Sequence, residues 1–274
     1  SLGIENFNDH ILEINGRAHR SKQVFRAYDF ARNIGFQNIN IDLIAGMLEE
    51  TDENWEKCIE RVIELSPDCI TIYQMEVPFN TTIFKSMKDQ GKLTAPVADW
   101  PTKRRWVTQA YEALENAGYT VTSAYTAVKN PENTKFVYRD RLWAGADMVA
   151  LGVASFGHLG GIHYQNQTHF DKYCETQENK NSAVRRALLT TEDERFLREF
   201  ILQWKLGQVA PAYFFEKFGV DINERFEDIF LEWKSAGDLY EEDGDLLLTR
   251  DALLRIDSML HRFFLPQHQD AKYV

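Results

Sequence analysis

The sequence predicts an α/β fold with parallel strands, followed by a smaller helical domain that ends in a hairpin. Apolar β-branched runs of strand length alternate with amphipathic stretches of helix length up to about residue 150. That alternation is the pattern of βαβ units, whose right-handed crossovers lay strands side by side. A polar stretch from about Gln165 to Ser182 then interrupts the pattern, and from Thr190 the periodicity becomes mostly helical.

Taken in order, Ser1–Ile4 reads as the end of a strand. Ser21 is an N-cap candidate for a helix through Asn33, with Val24, Phe25, Tyr28 and Ala31 on one face and Gly35 as its stop. Asn38–Ala45 is a strand with a single acid, Asp42, and Gly46 opens its loop. Thr51 or Asp52 caps a helix through Leu65, and Pro67 separates it from a strand over Cys69–Met75. A long loop precedes a helix over Pro101–Asn116, closed by Gly118. Tyr119–Val128 and Ala146–Val153 read as further strands. In a sheet of this kind chemistry gathers at the carboxyl ends of the strands.

The polar connection has room for one short helix. Thr190 or Thr191, with Asp193 and Glu194 behind it, opens an amphipathic helix carrying Phe196, Phe200, Ile201 and Trp204. Helices over Ala212–Phe218 and Ile222–Ser235 follow. Leu239–Glu242 and Leu246–Thr249 flank Asp243-Gly244 as a tight hairpin, and a last helix covers Arg250–Phe264. The domains expected are 1–164, a linker over 165–189, and 190–274.

The 274 residues are 44% hydrophobic and 27% charged, a composition of folded globular chains. With 31 basic and 42 acidic side chains the net charge is −11, which disfavours nucleic acid as a partner because phosphate binding needs the opposite sign. The acids concentrate on Glu49–Glu60 and Asp221–Asp245, where solvated helix faces account for them. The segment Ile222–Ser235 carries Asn223, Glu224, Glu227, Asp228 and Glu232, the wrong charge for a DNA-reading helix. No apolar run approaches the roughly 18 residues of a membrane span, and no secretory leader is visible, so the cytoplasm is the expected location. The three cysteines Cys58, Cys69 and Cys174 are too scattered for a disulfide framework, a zinc site or a cluster-binding loop. Cys58 and Cys69 read as small buried hydrophobes.

Within Asn40–Thr51, the residues Asp42, Ile44, Gly46 and Glu49 stand at the spacing G-x-I-x-G-x-x-E, with Asp in the first Gly position. Ser1-Leu2-Gly3-Ile4-Glu5-Asn6-Phe7 is close to S-x-G-V-Q-S/D-F, Gly16-Arg17-Ala18-His19 to G/N-R-x-H/E, and Thr71-Ile72-Tyr73-Gln74-Met75 to S-x-Y-Q-L. Leu151–His158 is similar to L-G-x-G-A-x-S/A, with Val153 for a Gly and Phe156 adding bulk. In this order the segments resemble the C-terminal portion of radical S-adenosylmethionine (SAM) enzymes of the oxygen-independent coproporphyrinogen III oxidase family. The resemblance extends through Thr191–Phe264, similar to that family's C-terminal domain.

The fold so implied is α/β: the C-terminal part of a partial (β/α) radical SAM barrel with parallel strands, plus a helical winged-helix-like domain. The resemblance implies SAM as cofactor, with Glu5, Arg17, Asp42, Ile44, Tyr73 and Gln74 as its contacts. A carboxylate such as Asp42 suits a vicinal diol because it only accepts, and it lies on the same strand face as Ile44. A structural Asp bonded to backbone is the alternative, as core filling is for Tyr73 and a surface ion pair for Arg17. A guanidinium fork matches the SAM carboxylate. Arg139, Arg141, Ser155 and His158 are the candidates for contact with a tetrapyrrole substrate, the arginines through its propionates.

The family's C-x-x-x-C-x-x-C segment, which holds a 4Fe–4S cluster in complete members, does not occur in the sequence. The chain is therefore expected to be a fragment or one part of a split enzyme, inactive alone, with an N-terminal half or an electron donor as partner. The activity implied for the whole is oxidative decarboxylation of coproporphyrinogen III to protoporphyrinogen IX in haem biosynthesis. A methyltransferase-like branch, or a haem or tetrapyrrole carrier using Tyr138, His158 and His163, are the alternatives. The haem-chaperone pattern H-N-x-x-Y-W meets Tyr138-Arg139-Asp140-Arg141-Leu142-Trp143 here, without its His.

Overall fold

The computed structural model describes residues 1–77, 89 and 97–269. The chain divides into two compact units, one made of residues 1–135 with 250–256, the other of 136–249 with 257–269.

The first unit is a sheet backed by helices. Its elements are β1 (Leu2–Glu5), α1 (Asp9–Ile14), α2 (Ser21–Asn33), β2 (Asn40–Ala45), α3 (Asp52–Leu65), β3 (Cys69–Gln74), α4 (Trp100–Asn116), β4 (Thr120–Val121) and β5 (Thr126–Val128). The strand order is β1-β2-β3-β5-β4. β1, β2 and β3 run parallel, as the βα alternation requires. The expected single strand Tyr119–Val128 is instead two short strands, β5 pairing antiparallel with both β3 and β4. The break falls at Thr122–Tyr125, where Ser123 and its neighbours form a turn rather than extended chain. The long loop expected before α4 lies largely outside the described residues.

Helix starts follow local chemistry. Thr51 caps α3 by accepting from the Asn54 N–H at 3.2 Å, and Asp99 caps α4 by accepting from Thr102 at 2.9 Å. Ser21 is not a cap but the first helical residue of α2; its N–H donates to Asp9 Oδ1 at 2.7 Å, which ties α2 to α1. Helix α1 was not apparent in the sequence, being only six residues long.

One apolar layer holds these helices to the sheet. Ile4, Ile41, Leu43, Ala45, Ile70 and Ile72 face Val24, Tyr28, Trp55, Ile59, Val62, Trp106, Val107 and Leu114 in one buried cluster. Trp55 and Trp106 stack with centroids 6.2 Å apart, and the Trp55 indole donates to the Trp106 carbonyl at 2.9 Å. The helix Arg250–Leu254 packs on α4 and adds Leu254 to the same cluster. Cys58 and Cys69 are buried here as free thiols.

The second unit contains α5 (Val137–Trp143), β6 (Phe156–Leu159), β7 (Ile162–Asn166), α6 (Phe170–Glu178), β8 (Val184–Leu189), α7 (Glu192–Trp204), β9 (Gln208–Val209), α8 (Pro211–Phe218), α9 (Ile222–Arg225), α10 (Glu227–Ser235), β10 (Leu239–Glu242) and β11 (Asp245–Leu248). The strand expected over Ala146–Val153 does not form; this stretch joins the sheet through a bridge between Met148 and His158 and through hydrogen bonds of the Tyr164 and Asn166 side chains of β7 with Ala150 and Gly152. The strands lie just beyond it, as the antiparallel sheet β6-β7-β8 with β8 at its edge. All six residues of β8 are exposed. Helix α5 and strand β8 were not foreseen, the second because its polar setting hid a short alternating run.

The hairpin β10–β11 forms as expected, with Asp243 and Gly244 both at positive φ, +51° and +87°. β9 adds a third strand that sequence reading missed. The expected helix Ile222–Ser235 breaks at Phe226, whose ring stacks on Phe200 at 4.9 Å. The expected last helix ends early as well, dividing into Arg250–Leu254, Ile256–Leu260 and a 3-10 turn over His261–Phe263.

Helix α7 begins at Thr191 with a reciprocal cap, Thr191 Oγ1 accepting from the Glu194 N–H and Glu194 accepting from the Thr191 N–H. Its buried stripe of Phe196, Phe200 and Trp204 forms an aromatic core with Phe214, Phe226, Phe230, Trp233 and Phe263. The same helix carries a buried acid, Glu199, whose two oxygens each accept from Lys217 Nζ at 2.9 Å while one also accepts from the Tyr213 hydroxyl. Lys217 further donates to the Tyr213 hydroxyl at 2.8 Å. Breaking a fully buried pair costs about 3–5 kcal/mol, but here only Glu199 is buried and the Lys217 side chain is 40% exposed, so water reaches the stranded charge in part. Lys217→Ala is therefore expected to lower unfolding stability by less than that range, about 1–3 kcal/mol, and Glu199→Gln by less again, as read from urea denaturation; a loss within experimental error for Lys217→Ala would show the pair to be idle.

Candidate functional site

Alternation along β2 builds the candidate site. Ile41, Leu43 and Ala45 point to the helices and are fully buried, so Asp42 and Ile44 must occupy the opposite face, where both are half-buried. The parallel register continues this face onto β3, pairing Asp42 with Thr71 and Ile44 with Tyr73. Tyr73 is exposed there and packs on Tyr125 with centroids 5.9 Å apart. Gln74, one residue on, faces the other way and donates to the Leu254 carbonyl at 2.9 Å. Of the six expected SAM contacts, Gln74 thus stands on the helix-packed face, apart from Asp42, Ile44 and Tyr73.

Asp42 is held by side chains, not backbone. Its Oδ2 accepts from the Ser1 hydroxyl at 2.7 Å and its Oδ1 from the Asn40 amide at 2.8 Å. Asn40 is held in turn by the Thr71 hydroxyl, 2.9 Å from its Oδ1. This polar row across β1, β2 and β3 was not read from the sequence, although Asn40 and Thr71 lie on the strand face that period-two alternation assigns to Asp42.

Glu5 and Arg17 reach the same edge. The β1–β2 register shifts between Gly3 and Glu5, and Glu5 sits at a φ of +67°, a bulge that re-aims its side chain. Its carboxylate lies 3.4 Å from an Arg17 guanidinium nitrogen. Burial raises the Glu5 pKa; Arg17 opposes that rise, Asp42 adds to it and His19 opposes it. Glu5, Arg17, Asp42 and His19 therefore share one electrostatic neighbourhood. His19 also fixes the end of β1, its Nε2 lying 2.9 Å from the Ile4 carbonyl.

The loop after β2 is shaped by residues the sequence did not single out. Gly46 adopts a φ of +95°, and a Cβ there would meet the Lys103 stem at 2.7 Å. Lys103 is buried, donates to the Met75 carbonyl at 2.7 Å and lies 4.2 Å from the Trp100 ring centroid. Glu49, the acid at the motif spacing, is exposed and meets His10 at 2.8 Å. Its neighbour Glu50 instead turns inward to accept from the Gly46 and Met47 N–H groups.

The other expected contacts belong to the second unit. Arg139 is committed to Asp140 at 2.8 Å, with its guanidinium 5.0 Å from the Trp143 ring centroid. Arg141 is exposed, and the Ser155 hydroxyl donates to the Leu151 carbonyl at 2.6 Å. His158 is buried, and its Nδ1 has no partner among the described residues. It pairs across β6–β7 with His163, their rings 6.0 Å apart, and Phe156 stacks on His163. Burial lowers the pKa of both histidines, and the nearby Arg198 charge adds to this. The Tyr138 hydroxyl contacts Met148 Sδ at 2.9 Å.

Among the described residues no three His, Cys, Asp or Glu side chains are placed to hold a metal ion. Cys58, whose thiol burial pushes up to about 12, is bonded to the Asn6 amide oxygen instead. No helix among the described residues is long and apolar enough to cross a membrane.

The loop geometry carries a direct test. Gly46→Ala must place a methyl against Lys103 and hold a side chain at positive φ, which costs on the order of 1–3 kcal/mol. A drop of that size in thermal or urea stability is expected, and an unchanged melting curve would contradict the close approach.

No family model matches the chain. It is 24% identical over 257 residues to the Heme chaperone HemW of Bacillus subtilis, covering 93% of this chain and 66% of that protein. It is 25% identical over 215 residues to the Oxygen-independent coproporphyrinogen III oxidase of Salmonella typhimurium, covering 73% of this chain and 45% of that protein. A solved structure described as "Coproporphyrinogen III oxidase (HemN) from Escherichia coli is a Radical SAM enzyme" superposes with a TM-score of 0.77 at 19% identity, over 95% of this chain and 62% of that one. The chain thus spans between about half and two thirds of the length of these proteins. In sequence it is similar to the oxygen-independent coproporphyrinogen III oxidase and HemW proteins over part of their length, and its fold is similar to that of the solved oxidase.

Proposed function

We propose that the β1–β2–β3 edge binds SAM as part of a radical SAM oxidoreductase acting on a porphyrinogen. The observation that carries this reading is the convergence of Asp42, Ile44, Glu5 and Arg17 on one sheet edge. Asp42 accepts from the ribose hydroxyls, as an ionised carboxylate with lone pairs beyond its Ser1 and Asn40 bonds is able to do. Ile44 and Tyr73 offer neighbouring apolar surface to the adenine. Arg17 turns from Glu5 to the ligand carboxylate, a move eased because burial already favours the neutral form of Glu5.

SAM supplies the radical chemistry of such enzymes when a cluster reduces it. The described residues do not fit that cluster, so this chain's part is to bind and orient the nucleoside. The names of the relatives support an oxygen-independent coproporphyrinogen III oxidase activity for the whole protein, and the reading takes its reaction to be oxidative decarboxylation. The reading also takes residues 1–164 as part of a (β/α) barrel, 165–189 as a linker and 190–274 as a winged-helix-like domain. Helices followed by the β10–β11 hairpin support the last of these.

A second reading, a haem or tetrapyrrole carrier, is favoured by one observation in the second unit. His158 keeps an unpartnered Nδ1 beside the stacked Phe156–His163 pair, and Tyr138 with Met148 lies against the same strand. Arg139, bound to Asp140, is poorly placed to greet a propionate, which leaves Arg141 as the exposed cation of that segment.

Isothermal titration of the whole chain with SAM separates the readings. Saturable binding, weakened at least about tenfold by Asp42→Ala through loss of a charged hydrogen bond, is the outcome expected. Absence of SAM binding, together with a haem absorbance change abolished by His158→Ala, would replace the first reading with the second.

A further inference from the structure

The candidate edge contains a buried acid that contacts neither strand β2 nor any neighbouring cation. Glu50 is half-buried as a residue, but its carboxylate is enclosed by three donors on two different loops. Oε2 accepts from the Gly46 N–H at 2.6 Å and from the Met47 N–H at 3.1 Å, both in the loop leaving β2. Oε1 accepts from the Asn6 amide at 2.7 Å, in the loop leaving β1.

Asn6 is fully buried and is itself fixed from every side. Its amide nitrogen also donates to Asn54 Oδ1 at 3.0 Å, and its oxygen accepts from the Asn8 N–H at 2.8 Å and the Cys58 thiol at 3.2 Å. Asn15 holds the same β2 loop from α1, exchanging two hydrogen bonds with the Leu48 backbone. A one-residue step away, Glu49 leaves for solvent, so the inward carboxylate is Glu50 by geometry and not by general acidity of the segment.

We propose that Glu50 is a positioning residue for the nucleoside edge, clamping the loops that leave β1 and β2 so that Glu5, Asp42 and Ile44 present one preformed surface. This rests on the reading of that edge as a nucleoside site and adds to it a means of control. An isolated buried carboxylate costs more than its hydrogen bonds return, and burial pushes Glu50 up to about 7. The clamp is therefore sensitive to protons near neutrality. Neutral, Glu50 still offers both oxygens to its three donors; ionised, it keeps them but sits as an enclosed charge with no cation beside it.

The sign follows from the raised value. The fold favours the neutral acid, so Glu50's contribution to stability is complete below the ordinary carboxylate range and is lost as the pH rises through about 7. Ligand affinity moves in the same sense, because a carboxyl whose pKa is raised in the clamped state holds the loops best when neutral, and its ionisation as the pH rises loosens them. The other groups packed around Glu50 do not supply this behaviour: Asn6, Asn54 and the Gly46–Met47 backbone do not titrate, and the Cys58 thiol is pushed up to about 12. Glu5, whose pKa burial also raises, stands on this edge with Asp42 and Arg17, and His10, paired with Glu49, and His19, bonded to the end of β1, are its histidines; only the Glu50→Gln profile removes the Glu50 proton while keeping all of these.

The test is the pH profile of SAM binding to the whole chain, run from pH 6 to pH 8 on the wild type, Glu50→Gln and a His10→Gln/His19→Gln double variant. Wild-type affinity is expected to fall about tenfold, the effect of one pKa unit of difference between the clamped and the loosened carboxyl, and the double variant to follow it. Glu50→Gln is expected to give a flat profile while still folding, since Gln keeps one acceptor oxygen. A Glu50→Gln profile that still falls, or a double variant that alone goes flat, would overturn the proposal. If the wild type binds no SAM, the nucleoside reading fails, and amide exchange at Gly46 and Met47 decides the clamp. Protection that decreases with pH after correction for the intrinsic rate in the wild type, and not in Glu50→Gln, supports it, whereas equal profiles reject it.

Discussion

The pairing of β2 between β1 and β3 is the constraint on which the first unit depends. Once three strands run parallel in fixed register, side-chain direction is no longer free: every second residue enters the helix layer and the others face away. Ile41, Leu43 and Ala45 anchor that register because shifting them by a single residue would bury Asp42 in an apolar layer and expose three core positions. The same arrangement that excludes water from one face thus sets Asp42, Ile44, Thr71 and Tyr73 side by side on the other. The site is a by-product of how the core is protected.

Much of this was legible in the sequence, because strands with one acid among β-branched residues and helices with apolar stripes carry strong periodic signals. Asp42, Ile44 and Gly46 followed from a spacing, and the hairpin at Asp243-Gly244 from turn chemistry. What escaped had weaker local cues. The Thr122–Tyr125 turn contains neither Gly nor Pro, so Tyr119–Val128 read as one strand. The β6–β7–β8 sheet is built from a strand rich in His, Tyr, Gln and Asn and one rich in Arg, and its loop neighbour Ala146–Val153 was the more apolar run. Glu50 could not be told from Glu49 by composition. Only the backbone turn at Gly46, with Glu49 at a φ of +58°, sends one carboxylate inward and the other out.

Both units pair most of their buried polar groups, and each leaves two atoms without a partner among the described residues, Gln74 Oε1 and Arg104 Nε in the first. In the first, Asn6, Asn40 and Thr71 form hydrogen-bonded rows in which nearly every buried donor meets an acceptor, a condition that holds a surface in one geometry. In the second, the Glu199–Lys217–Tyr213 group is similarly complete, yet His158 and Trp204 leave ring nitrogens without a partner among the described residues. The Trp204 indole is hemmed in by Phe200, Phe230 and Trp233, so aromatic packing accounts for its position. His158 has no such enclosure by other rings except His163, which makes its nitrogen the more suggestive of the two.

Strand β8 is exposed along its whole length and has a neighbour on one side only within its sheet. Val184, Leu188 and Leu189 would make such a margin adhesive to any chain able to extend the ladder, including another molecule of the same protein. Two adjacent guanidinium groups stand in its middle, Arg185 fastened to Thr168 at 2.6 Å and Arg186 to Gln165 at 2.8 Å. Antiparallel stacking of two such margins would bring like charges together at their centre. The strand therefore carries its own deterrent to fibril growth, and keeps the sheet at three strands without needing a cover.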